Sequence, residues 1–141
     1  IGLIQLDKLD TFQRLRAENY KILSSKLSNL SEITIFNPVK NKAKSSHYCL
    51  NLTLPKDGRI DRDEVVKFLK NKGIGSSVHY PSAVPLFTYY REKYGYKSGQ
   101  FPVAEWLAAQ TISLPVGPHV TPEDACFIAS TVKQAVQNGK I

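Results

Sequence analysis

Three histidines and two cysteines are the side chains of this 141-residue sequence best suited to nucleophilic or metal chemistry, and their spacing speaks against both. His47, Cys49 and Asn51 alternate and so share one face of an extended segment, an arrangement open to a metal or a nucleophile pair. No further ligand stands at metal-binding spacing, and two cysteines cannot make a disulfide framework, so Cys49 and Cys126 are expected to be reduced and buried. His119 stands in a Gly-Pro loop with neither a matching ligand nor an acid in reach by sequence, and metal is expected at neither site. His79 and Tyr80 precede Pro81 at the end of an extended run, where side chains lie open and can lean over a neighbouring pocket. By spacing alone, a His79 bonded to backbone and a Tyr80 packed in the core is the simpler account.

Tyr89, Tyr90, Tyr94 and Tyr96, interleaved with Arg91 and Lys93, could stack on a base and neutralise a diphosphate. The same spacing describes an amphipathic helix with a solvated basic edge, which is the favoured account. Lys72 before Gly73 reads as a helix end, and Asp124 falls in a first turn, where an acid complements the helix dipole. Trp106 beside Ala104, Leu107 and Ala108 reads as a packing anchor. A formal net charge of +7 would suit nucleic acid, a phosphorylated metabolite or an anionic surface. A basic nucleic-acid-binding module is therefore the alternative function, disfavoured because the lysines scatter over loops and both helix faces.

The elements that must position these groups follow from periodicity. Leu9, Phe12, Tyr20, Leu23, Leu27 and Leu30 recur at helical spacing and predict one long amphipathic helix ending near Asn29. Residues 33–37 read as a short strand stopped by Pro38, and 40–46 as a polar connection. Residues 47–54 alternate, with Tyr48, Leu50, Leu52 and Leu54 on one face, and predict a half-buried strand. Asp61 and Glu64 have capping-box spacing, flanked by Ile60 and Val65, and open a helix over 62–72 that Gly73 closes. A strand is expected over 74–80, helices over 86–94 and 102–110, and a strand over 111–114 halted by Pro115. Thr121, Pro122, Glu123 and Asp124 start a last helix reaching about Gln137.

With 42% hydrophobic and 22% charged residues and no repeat or linker, the chain reads as one domain of helices packed on a small, mostly antiparallel sheet. Its longest apolar runs fall far short of the roughly 20 residues a membrane span needs, and no leader opens it, which makes the cytoplasm the default location. The sequence holds no methionine and opens on an uncapped apolar stretch at Ile1. The opening is read as the interior of a helix begun upstream, with residues 1–30 a linking helix and 31–141 a small C-terminal domain.

The order of short motifs from Gly73 onwards is specific. Gly73-Ile74, Val78-His79-Tyr80-Pro81, Pro85-Leu86, Phe101-Pro102-x-Ala104-Glu105, Ser113-Leu114-Pro115 and Thr121-Pro122-Glu123-Asp124 follow one another as in the closing segment of the DegT/StrS sugar aminotransferases. The opening, Ile1 to Asp10, is similar to the family helix that follows its Asn-Tyr-Arg motif. The chain thus resembles the C-terminal small domain of these fold-type I enzymes over nearly its whole length.

The resemblance implies an enzyme that uses pyridoxal phosphate to move an amino group, usually from glutamate, onto a nucleotide-linked keto-deoxy sugar. It also implies a large domain upstream carrying the Schiff-base lysine and phosphate cradle, and a homodimer mate. No two glycines are adjacent here, so the family's lysine followed by paired glycines is not within this chain, and no catalytic or cofactor-binding residue is assigned to it. The resemblance places His79 and Tyr80 on the substrate-facing lip, with Tyr90 and Arg91 as weaker candidates. Where the family often has histidine after Pro-Leu, this chain has Phe87. The domain is expected to shape and gate the substrate side of the cleft and to be inactive alone.

Overall fold

A computed structural model describes residues 2–36 and 44–138. The helices are α1 (Gly2–Leu6), α2 (Leu9–Leu27), α3 (Arg62–Asn71), α4 (Thr88–Tyr94), α5 (Pro102–Gln110) and α6 (Pro122–Asn138), with a 3-10 turn over Val84–Leu86. The strands β1 (Thr34–Ile35), β2 (Leu50–Thr53) and β3 (Thr111–Leu114) form one antiparallel sheet in the order β1-β2-β3. β2 meets β3 in the register Leu50 to Leu114, Asn51 to Ser113, Leu52 to Ile112 and Thr53 to Thr111. This is the expected class of helices on a small antiparallel sheet.

The core lies on one face of that sheet. Leu50, Leu52, Leu54, Ile112 and Leu114 are buried there, together with Leu23 and Leu27 of α2, Val65 and Leu69 of α3, and Ile128, Val132 and Val136 of α6. Burying each such aliphatic side chain contributes about 1.5–3 kcal/mol, which makes this face the main source of stability. Buried Asn19 ties α2 to the segment leading into α6 by donating to Gly117 O (3.2 Å) and Val120 O (2.8 Å).

The ends of α3 and the start of α6 are those the sequence predicts. Asp61 accepts from the N–H groups of Asp63 (2.8 Å) and Glu64 (3.0 Å), and Ile60 and Val65 are buried beside it. At the other end of α3, Gly73 takes φ +78°, Gly73 N donates to Lys70 O (2.9 Å) and Ile74 N to Leu69 O (3.0 Å), a Schellman closure. Asp124 N donates to Thr121 Oγ1 (3.1 Å) while Asp124 Oδ2 accepts from Thr121 N (3.0 Å), so the threonine and the acid cap α6 reciprocally.

Several expectations need correction. The opening helix is not continuous: Lys8 N bonds to Gln5 O, three residues back, and this tight turn divides α1 from α2. Strand β2 starts at Leu50 rather than at His47, because His47 adopts φ +46° and ends the extended run; Tyr48 accordingly lies 71% exposed instead of beside Leu50. Phe87 is extended, so the helix foreseen over 86–94 is a 3-10 turn followed by α4. The predicted strand over 33–37 is the two-residue β1, and the Pro38 stop and residues 40–43 lie outside the described residues. Cys126 is exposed and Cys49 half-buried, against the expectation that both are buried; both are free thiols.

The strand expected over 74–80 is reduced to one bridge, with Ser77 and Ser113 exchanging backbone bonds of 3.1 and 2.8 Å. In an antiparallel ladder the next such pairs would be residues 75 with 115 and 79 with 111. Pro115 has no N–H, and the Thr111 N–H is already given to Leu107 O at the end of α5. Pairing stops for want of donors on both sides.

Candidate functional site

Opposite the apolar core, the alternate residues of the same strands are polar. Asn51 and Thr53 of β2 stand across from Ser113 and Thr111 of β3. Ser113 Oγ donates to Asn51 Oδ1 (2.6 Å), and the hydroxyls of Thr53 and Thr111 are 3.0 Å apart. Over this ladder lies an open groove of about 500 Å³. Asn51, Thr53 and Thr111 line it from the sheet, Ala104, Leu107 and Ala108 from α5, and Phe36, His79, Tyr80 and residues 82–85 complete it. The lining combines small apolar side chains with a few polar groups, the usual make-up of a small-molecule site.

The walls are held by specific bonds. Trp106 Nε1 donates to Leu54 O (3.1 Å) and so joins α5 to the end of β2, with Lys56 Nζ 5.1 Å from the centre of its ring. Glu105, at the start of α5, accepts from Gly99 N (2.9 Å), Phe101 N (2.9 Å) and Ser98 Oγ (3.0 Å). These bonds, Gly99 first, hold its carboxyl below the ordinary carboxylate range. His79 Nε2 is 3.0 Å from Ser77 Oγ.

Of the four substrate-binding candidates, the fold brings two together. His79 and Tyr80 both line the groove; Tyr80 is 63% exposed rather than packed in the core. Tyr90 and Arg91 do not line it. Tyr90 stacks on Tyr94 (centroids 6.3 Å apart) and meets Tyr89 edge-on at 5.1 Å. Arg91 borders a separate hollow of about 360 Å³ with Tyr96 and Lys97, in the last turn of α4, where a cation complements the helix dipole.

The remaining chemical groups are dispersed. His47 lies 4.7 Å from the ring of Tyr20, while Cys49 Sγ donates to Asn51 Oδ1 (3.4 Å), so the two do not form a pair. Burial first, then the neighbouring Cys49, raises the Tyr20 phenol above its ordinary pKa. Asp124 is held low by its backbone bond to Thr121, then by the Thr121 hydroxyl, and to a smaller degree by His119. Among the described residues no cluster of three His, Cys, Asp or Glu could hold a metal, and no helix is long and apolar enough to cross a membrane.

Thr53, Thr111 and Ser113 are not among the sequence candidates, and Asn51 is there only as a neighbour of His47 and Cys49. Their signal was the polar half of two alternating strands, visible only once the strands are paired. No lysine lines the groove, so its residues do not supply a Schiff-base group for pyridoxal phosphate.

A family model described as the DegT/DnrJ/EryC1/StrS aminotransferase family matches residues 1–133. The chain belongs to this family. An uncharacterized protein of Methanocaldococcus jannaschii is 33% identical over 141 residues, covering 99% of this chain and 36% of its own length. The spore coat polysaccharide biosynthesis protein SpsC of Bacillus subtilis is 31% identical, covering 97% of this chain and 35% of its own. The solved pyridoxal-phosphate form of a putative sugar aminotransferase from Streptococcus pneumoniae superposes with TM-score 0.87 at 24% identity, over 99% of this chain and 35% of that one. The chain therefore spans about a third of the length of the family members it matches.

Proposed function

We propose that this chain is the small C-terminal domain of a pyridoxal-phosphate-dependent sugar aminotransferase and forms the substrate side of its cleft. The carrying observation is that His79 and Tyr80, from the family's His-Tyr-Pro motif, converge with the Asn51 and Thr53 strand face on one groove. A hydroxyl-bearing ring fits that lining: polar groups along the sheet take its hydroxyls, and the alanines and leucine of α5 pack against its apolar edge. Membership of an aminotransferase family and the likeness to SpsC, named for polysaccharide biosynthesis, favour a sugar acceptor. The finer reading is a nucleotide-linked keto-deoxy sugar as acceptor and glutamate as donor, in a cytoplasmic homodimer.

The Schiff-base lysine and phosphate cradle are assigned to a large domain upstream, with residues 1–30 as the link to it. Leu3, Ile4 and Leu6 of α1 are 80%, 60% and 62% exposed, which is consistent with a surface that another part of the polypeptide covers. The domain's own contribution is to bind, orient and exclude water, while the cofactor supplies the electron sink. The test is amino transfer from glutamate to a nucleotide-linked keto-deoxy sugar by the complete polypeptide loaded with pyridoxal phosphate. His79→Ala and Tyr80→Ala are each expected to raise KM about tenfold or more. Kinetics unchanged in both variants would leave the domain a purely structural role.

A further inference from the structure

The groove offers a single imidazole, and the sheet does not hold it. The ladder on the outer edge of β3 ends at the Ser77–Ser113 bridge, because Pro115 lacks an N–H and Thr111 has spent its own on α5. His79 lies two residues past that bridge and makes no backbone hydrogen bond among the described residues. Its polar tether is the 3.0 Å contact between Nε2 and Ser77 Oγ. Ser77 in turn is fixed through both of its backbone bonds to Ser113, whose hydroxyl donates to Asn51 Oδ1 in the middle strand. The chain of bonds thus runs from the centre of the sheet to the imidazole.

We infer that Ser77 is a positioning residue for His79: its hydroxyl engages Nε2 and leaves Nδ1 as the nitrogen that the ring presents to a ligand in the groove. A neutral imidazole has one donor and one acceptor nitrogen, so the Ser77 bond also decides which role Nδ1 plays. If the serine donates, Nδ1–H donates to a sugar or keto oxygen; if it accepts, Nδ1 accepts from a sugar hydroxyl. Either way one rotation of the ring is selected before the ligand arrives. This inference rests on the reading that the groove faces substrate.

The test is made in the complete polypeptide with wild type, Ser77→Ala, Ser77→Thr, His79→Ala and the double variant. Loss of one positioning hydrogen bond predicts a rise in KM of about fivefold in Ser77→Ala, with kcat changed by less than about twofold. Ser77→Thr keeps the hydroxyl and restores the wild-type KM. In the His79→Ala background Ser77→Ala adds nothing, since the two act as one unit. An undiminished Ser77 effect without His79, or no KM change in Ser77→Ala while His79→Ala raises it, overturns the inference alone. If His79→Ala leaves KM untouched, the placing of His79 against substrate fails instead, and the ¹⁵N spectrum of His79 then decides. Wild type showing one tautomer that Ser77→Ala converts to a mixture supports the positioning role; an unchanged tautomer overturns it.

Discussion

The two faces of the three-stranded sheet are made by adjacent residues yet meet different demands. Leu50, Leu52, Ile112 and Leu114 are sealed under α2, α3 and α6, whereas Asn51, Thr53, Thr111 and Ser113 bond to one another along the groove. On the first face every side chain is apolar and fills space, so its cost on removal is set by volume. On the second, Thr53 and Ser113 are buried polar side chains, and what counts is whether each hydroxyl or amide has a partner. Stability and recognition are thus separated by one step along the strand rather than by distance.

Neighbouring substitutions can break this contrast. Leu52→Ala should destabilise by about 2–5 kcal/mol, read by denaturant unfolding followed through Trp106 fluorescence. A loss comparable to a surface substitution would mean that the helices do not pack on this face as described. One residue away, Asn51→Ala should cost only about 1 kcal/mol, because it removes the acceptor of the nearly buried Ser113 hydroxyl while leaving the core intact. The same unfolding assay applies, and a cost matching that of Leu52→Ala would erase the distinction between the faces.

The smallest effect concerns the rim rather than the sheet. Glu105 is held below its ordinary pKa by the Gly99 and Phe101 N–H groups in the folded chain only. A depressed folded pKa stabilises above the unfolded value, and that stability is lost as pH falls through the folded value. Glu105→Gln should therefore slightly lower stability at neutral pH and flatten the part of the acid limb that lies between the ordinary carboxylate value and the lowered folded one. An acid limb identical to that of wild type would show that the 98–101 loop does not depend on the charge.

Much of the fold was legible locally. The ends of α3, α5 and α6, the left-handed glycines after α3 and α4, and the limits of β3 are all carried by residues that act within a few positions of themselves. The errors fall where a distant partner decides. Residues 74–80 have strand composition, but a strand exists only where an edge still has free donors, and β3 has none beyond Ser113 on either side. Tyr48 fits the alternation of β2, yet the extended run is interrupted by a left-handed φ at His47, whose ring lies against Tyr20 of α2. The family resemblance put His79 and Tyr80 ahead of Tyr90 and Arg91, but spacing alone favoured neither pair, and only the fold shows that the first pair lines the groove and the second does not.

From sequence alone come the family, the ends of α3, α5 and α6 and the apolar residues of β2 and β3, because caps, turns and periodicity are local physics written in consecutive residues. Tertiary structure alone decides that the polar halves of β2 and β3 meet, that α5 closes a groove beside them, and that Ser77 reaches His79. Those are juxtapositions of residues tens of positions apart or of side chains whose direction depends on a bridge, and no local pattern encodes which donors a neighbouring strand has left.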